Sequence, residues 1–354
     1  MRFWTHAFCA AIALLTAACL WAAVSARSFS FTVPGGEPIY LPQVDDVLTV
    51  HEPTAAHYPG TDAPRAYSAV LRFSAAPDTD RALSVNRPVT YRGHRFYLMS
   101  MGADAVGLVA RRNPAWPLLL VSFCLVGLTA VGLAVALVRL RPMPAVTAGE
   151  VRLRLVSALP LAVVGALFVI RTVQAGRLPF ANMYEALLFF SASVLLFVVL
   201  TRDTGLPALI VGVGLCVALF LLPARLTLIR PLPPALHSPL FAPHVALAFL
   251  GYGGLLVAAL SPRRGPALPI AFVAFTLAVA LGAIWAELAW ARFWSWDPKE
   301  TWSLVTWLLM LCALVFRRLD RPGLERASTI LALATVVYNF LIVNVILRGL
   351  HSYR

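Results

Sequence analysis

Residues 285–307 read WAELAWARFWSWDPKETWSLVTW and contain six of the nine tryptophans in the chain. The charged run Asp297-Pro298-Lys299-Glu300 lies among them, and a long apolar segment lies on each side. Tryptophan is enriched where membrane helices meet water, so an anchoring belt would explain two or three such residues. Six indoles beside a charged turn exceed that requirement, and we expect them to form a surface for a large, flat, apolar ligand.

The composition is that of a protein that crosses a membrane several times. Of 354 residues, 60% are hydrophobic and 13% are charged, and the mean hydropathy is +0.80, which excludes an ordinary soluble domain. The net charge of +13 comes almost wholly from arginine, and much of it lies in short loops between apolar runs, so it indicates topology rather than a nucleic-acid partner. The five cysteines lie in apolar segments without a CxxC pair. We interpret them as small buried side chains and expect neither disulfides nor a thiolate metal site.

Four segments follow from the distribution of apolar runs. Residues 1–27 form a transmembrane anchor that we expect to be retained, with a cleaved signal peptide as the alternative. Residues 28–112 predict a small β-rich domain outside the membrane. Residues 113–140 contain the next span, and residues 141–354 form a helical membrane domain that carries the tryptophan-rich segment 285–307.

The fold class predicted is a polytopic α-helical membrane protein of about nine transmembrane helices. The arginine-rich loops after the second, fourth, sixth and eighth spans define the cytoplasmic side. The β-rich domain, the loop 223–241, the tryptophan-rich segment and the C-terminal tail therefore lie outside. The predicted spans are 4–26, 115–138, 154–171, 183–201, 205–222, 242–260, 268–290, 303–317 and 327–347.

Two features of the outer side need an explanation. Several arginines lie there against the charge trend, either as surface residues or as contacts for an anionic ligand. Glu185 lies at the start of the fourth span, where a carboxylate is costly and is usually paired or functional. A bond to a neighbouring helix and a ligand contact both remain open for it. The outer arginines are Arg171, Arg177, Arg225 and Arg230.

The tryptophan-rich segment, with its DPKETW ending, resembles the WWD signature of the CcsA (ResC) family, the integral-membrane half of the System II cytochrome c synthase. A proline followed by NMYE, Pro179 and Asn182–Glu185, resembles a second signature of that family. Residues 82–104, ALSVNRPVTYRGHRFYLMSMGAD, resemble the C-terminal part of the partner family ResB (CcsB). The resemblance implies a short ResB-like part fused to a CcsA-like body.

The resemblance also implies ferrous haem b as the bound group, with two outer histidine ligands to its iron. His244 and His351, the latter in a GLHSY context, match the family's two positions, and topology puts both on the side of the tryptophan-rich segment. His237 is the alternative for the first ligand, and a hydrogen-bonded helix cap is the ordinary role for either histidine. Asp297 would shape the turn, and it fits a helix N-cap before Pro298. The resemblance implies a catalytic role for Asp297 together with His244 and His351. The haem-binding residues implied are Trp285, Trp290, Trp294, Trp296, Asp297, Lys299, Glu300 and Trp302, with Arg292 as an alternative to Lys299 for meeting the propionates.

The function implied is that of a cytochrome c synthase, or its catalytic subunit, which attaches haem through thioether bonds to the CxxCH motif of apocytochrome c. Its place would be the bacterial cytoplasmic membrane, with the haem on the periplasmic face. A separate ResB-like subunit and a thiol reductant are further partners that the resemblance allows. The alternatives are a haem transport or delivery subunit and a non-catalytic scaffold. A scaffold does not need a histidine on each flank of the tryptophan-rich segment, and the scarcity of charges within the spans argues against an ion-coupled transporter.

One feature of the family is missing from this sequence. The family carries a Leu-His pair near the cytoplasmic end of the span after the tryptophan motif, and Leu314-Val315 stands there instead. A partner histidine from the ResB-like half is not evident either, unless His6 serves. The sequence therefore does not support an inner haem site, nor haem transport across the membrane by this chain alone.

Overall fold

A computed structural model describes residues 2–102, 104–139, 148–201, 206–222, 227–261 and 263–343. A helix leads into a block of β-strands, and helices follow to the end of the described chain. A 3-10 turn, Pro234–Leu236, and a π-helical segment, Tyr338–Val343, interrupt the helical part. The helices are α1 (Arg2–Ser25), α2 (Trp116–Arg139), α3 (Ala148–Ala175), α4 (Met183–Leu200), α5 (Leu206–Leu221), α6 (Phe241–Leu260), α7 (Ala267–Trp290), α8 (Pro298–Arg318) and α9 (Pro322–Val337).

The strands between α1 and α2 are β1 (Arg27–Pro34), β2 (Pro38–Leu41), β3 (Asp46–His57), β4 (Pro64–Phe73), β5 (Ala76–Ser84), β6 (Val89–Tyr91), β7 (His94–Met101) and β8 (Ala105–Arg112). Within the described residues they form two antiparallel sheets, ordered β1-β8-β7-β6 and β2-β3-β4-β5. Buried residues alternate along the strands, so each sheet turns one apolar face inward. Leu48, Leu71 and Phe96 belong to one core shared by both sheets. The β-rich interpretation of this stretch is confirmed.

Asp46 joins the two sheets through its buried carboxylate. Its Oδ1 accepts hydrogen bonds from the backbone N–H of Val47 (2.8 Å), the hydroxyl of Ser74 (2.5 Å) and the N–H of Ala75 (3.2 Å). Its Oδ2 accepts from the hydroxyl of Tyr91, at 2.6 Å, in the other sheet. Burial alone would raise the pKa of this carboxyl, but the four hydrogen bonds outweigh it and lower the pKa to about 2.

Replacing Asp46 by asparagine is expected to lower the free energy of unfolding of the β-rich domain by about 1–3 kcal/mol near neutral pH. Because the folded pKa lies below the ordinary value of 3.8, the stabilising effect of the ionised group is complete above that value and is lost as the pH falls through about 2. Wild type should therefore lose stability in this acid range more steeply than Asp46→Asn. Near-ultraviolet circular dichroism during heating measures both effects, and Asp78→Asn, at an exposed position, is the control. Parallel pH profiles for wild type and Asp46→Asn would refute this assignment.

Seven helices in the described residues are long and apolar enough to cross a bilayer: α1, α2, α3, α4, α6, α7 and α8. Helix α5 is apolar but shorter, and α9 has 16 residues before the π-helical segment. Spans at α5 and α9, and with them the total of nine, stay predictions. The predicted bounds are closest for α4, α6 and α7, each of which differs from its prediction by one residue at one end. Helix α8 begins at Pro298 rather than near residue 303, so Lys299 and Glu300 belong to the helix.

Close helix packing places α6 between α4 and α7. At Gly253 in α6, an added Cβ would lie 2.8 Å from the Cβ of Ser193 and 3.0 Å from its carbonyl carbon in α4. Small residues at such contacts allow membrane helices to approach backbone to backbone. The N-terminal half of α6 lies against the C-terminal half of α7, where His244 contacts Ala278 and Gly282.

A charged cluster ties α7, α8 and α9 together at the opposite end of these helices. The buried Glu325 accepts from the Nε atoms of Arg264 (2.5 Å) and Arg317 (2.6 Å), and Arg264 also pairs with Asp320 at 2.6 Å. Part of the arginine charge that predicts the cytoplasmic side thus also connects helix ends. Arg141, in the loop after the second predicted span, and Arg202, in the loop after the fourth, lie outside the described residues.

The prediction that the cysteines are buried is wrong for four of the five. All five thiols are free, and Cys216 is buried with its Sγ 3.1 Å from the hydroxyl of Ser191. The others lie on outward faces of apolar helices, because an apolar segment in a membrane protein has a lipid-facing side as well as a packed one. The exposed cysteines are Cys9, Cys19, Cys124 and Cys312.

Candidate functional site

A cavity of about 340 Å³ lies between the adjoining ends of α6, α7 and α8. This volume falls within the range of small-molecule sites, which are mostly apolar with a few placed polar groups. The polar side chains of its lining include His244, Lys299, Glu300, Ser303 and Asn339. Its aromatic lining consists of Phe241, Phe249, Tyr252, Phe275, Trp285, Trp290, Phe293, Trp294 and Phe340.

His244 lies in the first turn of α6, and its ring faces α7. Its Nδ1 is 2.7 Å from the carbonyl oxygen of Ala278. Because a carbonyl only accepts, Nδ1 carries the proton and the lone pair of the neutral imidazole is on Nε2. Gly282, one turn further along α7, leaves room for the ring, since an added Cβ would lie 2.5 Å from Cε1 and 2.7 Å from Nδ1 of His244. Helix α7 thus fixes both the tautomer and the position of the imidazole, as neighbours of metal-binding histidines do.

Three tryptophans of the segment line the cavity. Trp285 is 2% exposed, and its indole N–H donates to the carbonyl oxygen of Ala235 at 3.2 Å. Its ring centroid lies 4.9 Å from that of Trp290 and 6.0 Å from that of His244. The indole nitrogen of Trp294 is buried and has no hydrogen-bond partner within the described residues. A buried donor of this kind at a cavity wall suits an acceptor on a ligand.

The polar end of the cavity is built by α8 and the segment after α9. The amide nitrogen of Asn339 donates to the carbonyl oxygen of Lys299 (3.3 Å) and to the hydroxyl of Ser303 (3.2 Å). Its amide oxygen is buried and has no partner in the part of the chain that the structure describes. Lys299 lines the cavity, whereas Arg292 is exposed and is not among the lining residues.

The DPKE sequence forms a reciprocal helix cap. Asp297 is the N-cap of α8, and its Oδ1 accepts from the N–H of Glu300 at 2.8 Å, with Pro298 in the first turn. The carboxylate of Glu300 reaches back and accepts from the N–H of Ser295 at 2.6 Å. This arrangement satisfies backbone donors that a helix start leaves unpaired. The N-cap interpretation of Asp297 is confirmed.

The turn between α7 and α8 contains two residues in the left-handed region. Ala291 ends α7 with φ 59°, and Trp296 also has φ 59°. This conformation is uncommon for residues other than glycine and costs free energy that the surroundings must offset. The caps on each side hold the turn that carries Trp294.

The cavity brings together most, but not all, of the sequence-predicted site. Trp296 is 68% exposed and packs edge-on against Trp294, while Trp302 packs on Tyr338 with centroids 4.5 Å apart. Neither these two nor Asp297 is among the lining residues. His351 lies outside the described residues, as does Arg225. The predicted site residues that line the cavity are His244, Trp285, Trp290, Trp294, Lys299 and Glu300.

The NMYE sequence forms a second cap of the same kind. The side chain of Asn182 accepts from the N–H of Glu185 at 2.8 Å, and the carboxylate of Glu185 accepts from the N–H of Ala181 at 2.8 Å. Glu185 is 0% exposed and pairs with Arg171 (3.3 Å) and Arg177 (2.9 Å). The structure therefore favours the bond to a neighbouring helix for Glu185, and these two arginines serve it rather than an outside anion.

Replacing Glu185 by alanine is expected to destabilise the folded protein by about 3–5 kcal/mol, because two largely buried guanidinium groups lose their shared partner. The loss appears as a lower melting temperature in detergent, measured by the aggregation of heated samples. Asp80→Ala, which breaks the exposed pair with Arg72, is the control and should cost less than about 1 kcal/mol. Equal melting temperatures for the two variants would contradict the structural role.

Three residues near the site were missed at the level of sequence: Gly282, Glu287 and Asn339. Glu287 is 1% exposed in α7, and the rule that singled out Glu185, a carboxylate within an apolar span, applies to it equally. Gly282 and Asn339 carry no such signal, because their roles depend on which helices are neighbours.

The fold and the cavity define a helical membrane-type protein with an aromatic, histidine-containing site at one end of its helices. A family model described as cytochrome C assembly protein matches residues 266–351. The cytochrome c biogenesis protein CcsA of Synechococcus sp. (strain CC9902) is 30% identical over 56% of this chain and 86% of its own length. That of Parasynechococcus marenigrum (strain WH8102) is 30% identical over 52% and 80%, and that of Chlamydomonas reinhardtii 30% over 53% and 64%.

The chain belongs to the CcsA family of cytochrome c biogenesis proteins, and it is a membrane protein. It spans somewhat less than two thirds of the Chlamydomonas relative. The family match includes Gly282, the whole tryptophan-rich segment and Asn339.

Proposed function

We propose that this protein acts in cytochrome c biogenesis by binding ferrous haem b in the tryptophan-lined cavity and presenting it for covalent attachment to the CxxCH motif of apocytochrome c. The observation that carries the proposal is the geometry of His244. Its Nδ1–H is bonded to the carbonyl of Ala278, so the lone pair of the neutral ring is on Nε2, which we take as the iron-binding atom, in a cavity lined by Trp285 and Trp290. Neutral imidazole is a usual axial donor to haem iron.

The lining of the cavity suits the rest of the haem molecule. Indole rings provide a large contact area for a flat apolar macrocycle at a small entropy cost. Lys299 is the better partner for a propionate than Arg292, because Lys299 lines the cavity and Arg292 is exposed. The buried indole N–H of Trp294 is a second donor for a carboxylate oxygen. His351 is the proposed second ligand, in keeping with the family resemblance of its GLHSY context.

The proposed reaction joins each thiol of the CxxCH motif to a haem vinyl group. A sulfur–carbon bond forms at one vinyl carbon, the thiol hydrogen ends on the other, and no electrons are gained or lost. The protein's residues hold, orient and shield the substrate rather than supply a nucleophile. His244 and His351 would keep the iron ferrous, and the histidine of CxxCH would replace one of them as the product leaves.

The proposal extends to the placement of the protein and its partners. The arginine distribution favours the outer, non-cytoplasmic face for the cavity, and the family resemblance favours the bacterial cytoplasmic membrane, where that face is periplasmic. The β-rich domain is proposed as a shortened ResB-like part, and a separate ResB-like subunit and a thiol reductant as partners. Haem transport by this chain alone is not part of the proposal, since neither Leu314 nor Val315 offers a ligand, and His6 is exposed on α1.

Co-expression tests this function directly. The full chain and an apocytochrome with one CxxCH motif are produced in a bacterial host that lacks its own maturation system, and haem that survives denaturing electrophoresis is stained. Covalent haem on the apocytochrome supports a synthase. Haem that co-purifies with the chain without attachment would instead make it a delivery subunit. If haem is neither attached to the apocytochrome nor bound to the chain, the scaffold alternative is the one that remains.

A further inference from the structure

One wall of the cavity is a turn that the β-rich domain holds. Pro233, Ala235 and Leu236, in the connection before α6, line the cavity. The amide nitrogen of Asn86, between β5 and β6, lies 3.0 Å from the carbonyl oxygen of Ala235. It also lies 3.3 Å from each of the carbonyl oxygens of Pro234 and His237.

Tyr58, after β3, holds the two ends of the same turn. Its hydroxyl accepts from the N–H of Leu232 at 3.1 Å and lies 2.8 Å from Nε2 of His237. Burial lowers the pKa of His237, so its ring is neutral near pH 7 and its Nε2 can accept from Tyr58. A single 3-10 turn has few hydrogen bonds of its own, so these side chains determine where it lies.

The β-rich domain also contacts the tryptophan wall of the cavity, formed by Trp285, Trp290 and Trp294, and it does so through Glu287. The hydroxyl of Tyr97 donates to the carboxylate of Glu287 at 3.0 Å, and Arg111 pairs with it at 3.1 Å. Arg111 also donates to the carbonyl oxygen of Ala291, where the tryptophan turn begins. Burial, followed by the nearby charge of Glu287, raises the pKa of Tyr97, so its hydroxyl stays protonated and donates.

We propose that the β-rich domain positions both walls of the haem cavity, with Asn86 and Tyr58 as positioning residues for the turn, and Tyr97 and Arg111, through Glu287, for the tryptophan wall. The identity of the ligand rests on the proposed function. The positioning of the turn does not, and it can be tested without haem.

Asn86 allows a clean substitution because its φ is 66°. Glycine accepts this conformation, so Asn86→Gly removes the amide without backbone strain. Asn86→Asp keeps the shape but points an acceptor at three carbonyl oxygens. Each is combined with Ala235→Cys, and the haem-free protein is labelled with a membrane-impermeant maleimide. The wild-type chain, which has five native cysteines, is labelled in parallel to measure the background. Arg72→Ala, which removes an exposed ion pair within the sheet, is the matched control.

The rate to compare is that of the thiol introduced by Ala235→Cys alone. We expect Asn86→Asp to make its labelling roughly fivefold faster or more, and Asn86→Gly to make it faster to a smaller degree. Arg72→Ala should leave the rate unchanged. Equal rates in all variants would overturn the proposal, as would an equal increase in the Arg72→Ala control. A second readout is the time for which haem stays bound after dilution. Both Asn86→Asp and Glu287→Gln should shorten this time. Glu287→Gln should leave the labelling rate of the introduced thiol unchanged. If wild type binds no haem but labelling follows the expected order, the positioning of the turn stands and the proposed function fails.

Discussion

Replacing His244 by alanine is expected to reduce covalent haem attachment to a co-expressed apocytochrome by roughly 100-fold or more. Changes to residues that merely orient a metal ligand typically cost about 10–100-fold, and this change removes the proposed iron ligand itself. The measurement is haem staining of the apocytochrome after denaturing electrophoresis, scaled to the amount of protein. The expected loss is the largest of any single change in the cavity, because the other lining residues would contact the proposed haem only by packing or by hydrogen bonds.

Two further variants make the His244 result specific. His57→Ala, at an exposed position in β3, should leave attachment unchanged. His237→Ala tests the alternative ligand and should have a smaller effect, since His237 bonds to Tyr58 and is not among the cavity-lining residues. Free imidazole, which fits the space left by the ring, should restore part of the haem absorption of His244→Ala. Full attachment by His244→Ala together with its loss in His237→Ala would reassign the ligand.

Gly282→Ala is expected to disrupt the site while leaving the fold intact. The added methyl group would lie 2.5 Å from the His244 ring, so the imidazole must leave its bond with Ala278. We expect roughly tenfold weaker haem binding and a shift of the bound haem away from the low-spin form. Alanine is also more favourable than glycine in a helix by about 1 kcal/mol. The free energy of unfolding of Gly282→Ala should therefore not decrease, even though its affinity for haem does.

The chain offers a close control for this substitution. Gly165 lies in α3, and an added Cβ there would meet nothing within 4 Å. Gly165→Ala changes helix propensity in the same way without touching the cavity. The visible spectrum and a haem titration of both purified variants measure the difference. Matching spectra and affinities for Gly282→Ala and wild type would show that the position of His244 does not depend on α7.

Much of the architecture follows from local patterns in the sequence. Apolar length locates the spans, alternation locates the strands around Leu71 and Phe73, and the Asp297-Pro298 pair marks the start of α8. The same capping pattern, Asn or Asp followed by Glu three residues later, occurs at Asn182 and at Asp297. Both family signatures therefore include a helix start as well as any contact with a ligand.

The remaining features depend on tertiary contacts that no local pattern encodes. Gly282 matters because α6 places an imidazole against it, and Asn86 because a turn far along the chain lies beside it. The number of tryptophans predicts an aromatic surface but not which rings face the cavity, since Trp296 and Trp302 lie beside the lining and Trp285 is part of it. Burial of the cysteines failed as a prediction for a related reason: hydrophobicity does not distinguish a lipid-facing side chain from a packed one.

The visible absorption spectrum of the detergent-purified wild-type protein, oxidised and then reduced, tests the central claim most directly, with His244→Ala and His351→Ala measured alongside. The account predicts the sharp reduced bands of a low-spin haem with two histidine ligands, lost or shifted in either variant. A wild-type protein that carries no haem and does not respond to added haem would contradict it.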